Sequence, residues 1–188
     1  MKVKKKQKIK NILEKVSDEL EDVFEKVNEK QTQELVKSIL KTKKIFLIGS
    51  GRSGLVAEAF VMRLNQLGVR SYLIEKSKIR KITKKDFLIV ISGSGKTKIT
   101  EQIVKNLKKS GAKICLITSN KKSPIARKSN LVVEIKAKTK LRKRKSIEPL
   151  GSLFEQATFV YLDSIVIMLM KKLKKTEKFM KKRHSKTK

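Results

Sequence analysis

Short aliphatic runs at residues 45–48, 71–74, 87–91, 113–118 and 131–135 alternate with stretches of helical periodicity at 55–67, 99–109 and 124–128. Polar residues hardly interrupt the runs, so strands made from them must be covered on both faces. Strands that alternate with helices pair in parallel, because each helix carries the chain back to the start of the next strand. The expected fold is α/β, a doubly wound five-stranded parallel sheet in the order 2-1-3-4-5 with helices on both faces. A length of 188 residues suits one such domain. We expect an N-terminal amphipathic helical segment at 1–42, packing on the domain, then the α/β unit at 43–176 and a basic C-terminal tail at 177–188.

In the N-terminal segment Ile9, Ile12, Leu13, Val16, Leu20, Val23, Phe24 and Val27 recur at three- and four-residue spacing, and Leu35, Val36, Ile39 and Leu40 resume it. One long amphipathic helix or two shorter ones would bury that stripe on the sheet or on a partner subunit. A second strongly apolar helix is expected from Gly151 to about residue 172. It is too apolar for a free surface, so a homo-oligomer follows, dimer or tetramer. There is no Trp and there are only two Tyr, which leaves Ile, Leu and Val to build the core.

The net charge of +32 raises the thought of a polyanionic partner. The basic residues are mostly Lys and are spread along the whole chain, with dense stretches at 1–10, 136–145 and 171–188. Without Arg forks or interleaved aromatics these read as solvated faces and frayed ends, and nucleic acid is disfavoured as a partner. The single cysteine, Cys115, lies in an apolar run and reads as a small hydrophobe. No run of 18 apolar residues occurs, and no long apolar stretch follows the N-terminal lysines. A cytoplasmic protein with no membrane partner is the expectation.

Two glycine-rich loops narrow the chemistry. Gly49-Ser50-Gly51-Arg52-Ser53-Gly54 follows the first strand, opens a helix and matches G-x-G-x-x-G, while Glu75 ends the next strand where a ribose-binding carboxylate would lie. A dinucleotide-binding protein is open on this loop alone. Ser92-Gly93-Ser94-Gly95-Lys96-Thr97 also sits between a strand and a helix, where backbone N–H groups and hydroxyls converge on an anion. Its Gly-Lys-Thr is not a nucleotide P-loop, because the first glycine of that motif would fall at Val90, inside a strand. In the order 2-1-3-4-5, strands one and three are neighbours at the switch point, so both loops face one crevice. Two loops rich in hydroxyls suit a small phosphate ester.

Together these two loops resemble the sugar isomerase (SIS) domain. The stretch 59–64 followed by Leu67-Gly68, the string Pro149-Leu150-Gly151-Ser152-Leu153-Phe154-Glu155 and the terminal Lys182-Arg183-His184 are similar to the 6-phospho-3-hexuloisomerase family. The resemblance spans roughly residues 35–185. It implies reversible interconversion of D-arabino-hex-3-ulose 6-phosphate and fructose 6-phosphate in a homotetramer, without metal or organic cofactor, in the ribulose monophosphate pathway.

By the same resemblance, Glu155 would shuttle the carbon proton and His184 would open the ring or relay hydroxyl protons, in its own or a neighbouring subunit. Ser92, Ser94 and Thr97 would hold the phosphate, with Gly51, Arg52 and Ser53 orienting the sugar or sharing that contact. Lys96 has two readings, a charge aimed at the phosphate or an exposed first-turn side chain, of which the second is preferred. The chain departs from the family at 75–80, where a substrate-facing Thr and a Pro are missing, at Leu150 to Leu153, and at Lys186. Those departures leave the sugar open, and with it a second reading, a phosphosugar sensor without catalysis.

Overall fold

The computed structural model describes residues 8–74, 82–137 and 146–184. Five parallel strands, β1 (Ile45–Gly49), β2 (Ser71–Leu73), β3 (Phe87–Ile91), β4 (Lys113–Thr118) and β5 (Leu131–Glu134), form one sheet in the order β2-β1-β3-β4-β5. This is the expected doubly wound order. In register, Gly49 pairs with Ile91 and Ile91 with Ile117, so β1, β3 and β4 end almost level. The loops that follow therefore open on a common edge.

Side chains alternate between the two faces of the sheet, and each face has its own core. Ile45, Leu47, Ile89, Ile91, Cys115, Ile117 and Val133 meet helices α2 (Glu29–Lys41), α3 (Arg52–Gln66) and α5 (Ser152–Leu173). Phe46, Ile48, Leu88, Val90, Ile114 and Leu116 meet Val104 of α4 (Lys98–Lys108) and the 3₁₀ turn Ala126–Lys128. The helix expected at 124–128 is only that turn. Cys115 is fully buried, and burial pushes its thiol pKa far up, as an inert core thiol requires.

The N-terminal segment is two helices, α1 (Ile9–Phe24) and α2. Asn28 separates them: its side chain accepts from the Gln31 N–H at 3.0 Å, capping α2. Gln31 Oε1 in turn accepts from the Glu134 N–H on edge strand β5, and Tyr161 of α5 donates to Thr32. From Leu20 onward the stripe packs on β5 and α5, whereas Ile9, Ile12 and Leu13 at the start of α1 stay exposed. Helix α5 is long and apolar enough to cross a membrane by length and composition. Here Phe154, Ala157, Tyr161, Leu162, Ile165 and Leu169 are buried in the core.

The stretch read as a basic tail needs correction. Residues Glu177–His184 form a sixth helix, α6, docked on the C-terminal end of α3. Met180 is buried, Phe179 packs over Gly68, and Arg183 donates to the Asn65 carbonyl at 3.1 Å. Lys175 lies over the Phe179 ring at 4.2 Å. Two apolar residues and cation–π contacts anchor a helix that its charges disguise in the sequence. Glu75, the altered turn at 75–80 and Lys186 lie outside the described residues.

Candidate active site

At the level ends of β1 and β3 lies a cavity of about 260 Å³. Ser50, Ser53, Ser92, Gly93, Ser94 and Thr97 make one wall, and Leu150, Gly151, Phe154 and Glu155 make the other. Among the described lining residues Glu155 alone is ionisable. The pocket therefore combines a wall of hydroxyls and backbone N–H groups with a wall carrying one carboxylate.

The first loop is shaped by close approach. A Cβ on Gly49 would lie 2.5 Å from the Ser53 carbonyl oxygen, and one on Gly54 would lie 2.7 Å from the Gly49 carbonyl oxygen. These two glycines let α3 start hard against the end of β1, while Gly51 turns the chain at φ 58°. Helix α3 begins at Arg52, three residues before the apolar periodicity announces it. Gly51 and Arg52 lie outside the cavity lining, whereas Ser53 is buried in it.

In the second loop the Gly93 carbonyl accepts from the Thr118 and Ser119 hydroxyls, at 3.1 and 3.0 Å, and from the Ser119 N–H. Ser92 Oγ accepts from the Gly95 N–H at 3.2 Å and Ser94 Oγ from the Lys96 N–H. The loop is thereby pinned from β4. The Ser50 and Thr100 hydroxyls, 3.1 Å apart, join it to the first loop across α4. Lys96 is exposed and absent from the lining.

Three helices, α3, α4 and α5, start at the cavity. Their N-cap residues Gly51, Thr97 and Gly151 make no side-chain cap, in contrast to Asn28 on α2. Leading N–H groups without a capping side chain, at the positive ends of three helix dipoles, suit an anion such as a phosphate. The sequence placed the third helix start at Gly151 as well, but gave no part in the site to the backbone of Leu150 and Gly151, which turn the chain into α5 at φ 53° and 91°.

Glu155 stands on the first turn of α5, and Arg52 Nε donates to its Oε2 at 3.1 Å. The side chain of Glu155 is 15% exposed and that of Arg52 58%. Behind the pair lies a residue that sequence reasoning missed, Glu148. It is buried, at 7% exposure; its Oε2 accepts from the Gln156 amide, and its Oε1 has no partner. Burial raises the Glu148 pKa above the usual carboxylate range, helped by the negative Glu19 and Glu155 and opposed by Arg52. Glu19 of α1 accepts from Ser146 Oγ and from the Ile147 N–H at 2.9 Å, fastening the strand of chain that carries Glu148.

His184 is not brought to this site within the chain. Its Nδ1 lies 2.9 Å from Gln66 Nε2, at the end of α3 opposite to Arg52, about 21 Å away along the helix axis. The docking of α6 on the far end of α3 is the reason. Among the described residues no His, Cys, Asp or Glu cluster is arranged to hold a metal ion.

Residues 38–158 match the SIS domain family, and the chain belongs to that family. Several curated relatives are named 3-hexulose-6-phosphate isomerase, two of them as follows. That of Methanocaldococcus jannaschii is 34% identical over 152 residues, 80% of this chain and 80% of its own. That of Bacillus subtilis is 32% identical over 142 residues, 74% of this chain and 77% of its own. A crystal structure from Methanococcus jannaschii, from which a molecular function of 3-hexulose-6-phosphate isomerase was inferred, superposes with a TM-score of 0.82 at 30% identity. The superposition covers 92% of this chain and 97% of that one.

Proposed function

We propose that this chain is a sugar-phosphate isomerase that interconverts D-arabino-hex-3-ulose 6-phosphate and fructose 6-phosphate through a 2,3-enediol. The observation that carries the reading is the position of Glu155, a lone carboxylate facing a wall built for a phosphate. Moving a carbonyl between C3 and C2 requires one group that takes a proton from one carbon and returns it to the other. Glu155 takes the C2 proton of the 3-ulose, the electrons shift to the C3 oxygen, and the proton returns to C3 as the carbonyl forms at C2. Arg52, already at Glu155, lies at hand to offset the negative charge of the enediolate. Ser92, Ser94 and Thr97 hold the phosphate with the helix N–H groups, and Ser53 with the Gly51 turn orients the sugar. The names of the two curated relatives support the substrate.

The relay of hydroxyl protons assigned to His184 requires the cavity of a neighbouring subunit, given the distance within one chain. A homo-oligomer would supply that neighbour. Leu55 is 67% exposed and Phe159 43%, and they share an apolar hollow with Leu20, Val56 and Val160 beside the Arg52–Glu155 pair. We propose that a second copy covers this hollow in a cytoplasmic enzyme.

The direct test is Glu155→Gln. It is expected to lower turnover on the order of 10³-fold while fructose 6-phosphate affinity changes by less than about threefold, because the amide keeps the shape and loses the basicity. Turnover within about threefold of wild type would remove Glu155 from its role.

A further inference from the structure

Glu148 is the one buried carboxyl in the neighbourhood that the proposed chemistry leaves without a task. Its surroundings are drawn from four parts of the chain. Glu19 approaches from α1, Arg52 from α3, Glu155 and Gln156 from α5, and the backbone around it is held by Ser146, whose Oγ accepts from the Glu148 N–H at 3.0 Å. The carboxyl is closed off from solvent with one oxygen bare. A buried carboxylate in that condition loses hydration that nothing replaces, so the uncharged acid is favoured.

The charge count around it makes this consequential. With Glu148 protonated, Glu19, Glu155 and Arg52 sum to one negative charge, and the single guanidinium has Glu155 as its hydrogen-bonded partner. With Glu148 ionised, the sum is two, and one guanidinium is shared among three carboxylates. Two effects follow from Coulomb's law. Arg52 is drawn away from Glu155 toward the new charge, and a further negative charge stands beside a pocket that must accept a phosphate dianion.

We propose that Glu148 is a positioning residue of this site, a protonated carboxyl behind Arg52 whose ionisation loosens the Arg52–Glu155 pair and lowers the affinity of the pocket for phosphate esters. The inference rests on the isomerase reading for its catalytic half, and on the geometry alone for its binding half. Its function is to keep the site open to an anion only while the proton is in place. Glu19 sets the strength of the effect, since its own hydrogen bonds to Ser146 and the Ile147 N–H fix its carboxylate close to Glu148.

The test is carried out on the full chain with fructose 6-phosphate as the probe, for wild type, Glu148→Gln and Glu148→Asp, from about pH 5 to about pH 9. Calorimetry gives the affinity and NMR in heavy water gives the rate of carbon-proton exchange. In wild type, affinity and exchange are expected to fall together with one ionisation as pH rises, on the order of tenfold in kcat/KM. Glu148→Gln should lack that step, since the amide cannot ionise, and Glu148→Asp should restore it. Chemical denaturation checks that each variant is folded; should the glutamine variant fail to fold, the aspartate variant carries the test through a displaced midpoint of the step, and an unmoved midpoint overturns the assignment to Glu148.

The outcomes separate the two claims. A binding step present in wild type and absent in Glu148→Gln, with exchange in neither, supports Glu148 and removes the isomerase. Exchange in both with superimposable pH profiles overturns Glu148 and leaves the isomerase standing. Neither binding nor exchange in wild type overturns both.

Discussion

Gly49 faces the backbone of Ser53 so closely that no side chain fits between them. Gly49→Ala should therefore force α3 away from β1, lowering stability by about 1–3 kcal/mol in chemical denaturation. An unchanged denaturation midpoint would refute the close approach. Glu148 gives a second prediction at this scale. Its pKa is raised on folding, so the folded chain holds a proton that the unfolded chain releases. The stability this contributes is complete below the unfolded carboxylate pKa and is lost as pH rises through the folded one. The melting temperature of Glu148→Gln should accordingly gain on wild type as pH rises from about 4 through the neutral range. A constant difference across that range would count against the raised pKa. The glycine loops and Glu155 were legible as residue types at telling spacings. Glu148 was not, because it stands in a charged stretch and only folding against α1 and α5 reveals its burial.

At the scale of elements, the strands were readable almost to the residue, since buried parallel strands leave unbroken aliphatic runs. Two helices were less so. The division of α1 from α2 hinges on Asn28, whose cap on Gln31 interrupts a stripe that otherwise continues. Asn28→Ala should cost about 1 kcal/mol, read as a shift in the denaturation midpoint; no shift would mean that the Tyr161–Thr32 and Gln31–Glu134 contacts set the boundary by themselves. Helix α6 was hidden because its anchors, Phe179 and Met180, are only two apolar residues in a basic stretch, too few to show a period. Its docking on the far end of α3 also explains why His184 and Glu155, both singled out from sequence, are apart in one chain.

On the scale of the whole molecule, the crevice between the loops of β1 and β3 follows from strand order, and strand order follows from short strands joined by helical crossovers. That much was legible. The helix start at Gly151 was legible too, but its place at the crevice was not, since it joins the site from a distant part of the chain through packing of α5 on α3. The apolar hollow around Leu55 and Phe159 predicts an assembly larger than a monomer. Light scattering at micromolar concentration should show it, and Phe159→Lys should shift it toward monomer by placing a charge in the contact. A monomeric wild type would contradict the covered hollow and would leave His184 without a cavity to reach.

The most direct test of the central claim is incorporation of solvent deuterium at C3 of fructose 6-phosphate, followed by NMR in heavy water. Wild type should incorporate one deuterium at that carbon and Glu155→Gln should not, with both proteins binding the sugar. Binding without any incorporation by wild type would contradict enediol chemistry at this site and favour a protein that senses phosphosugars.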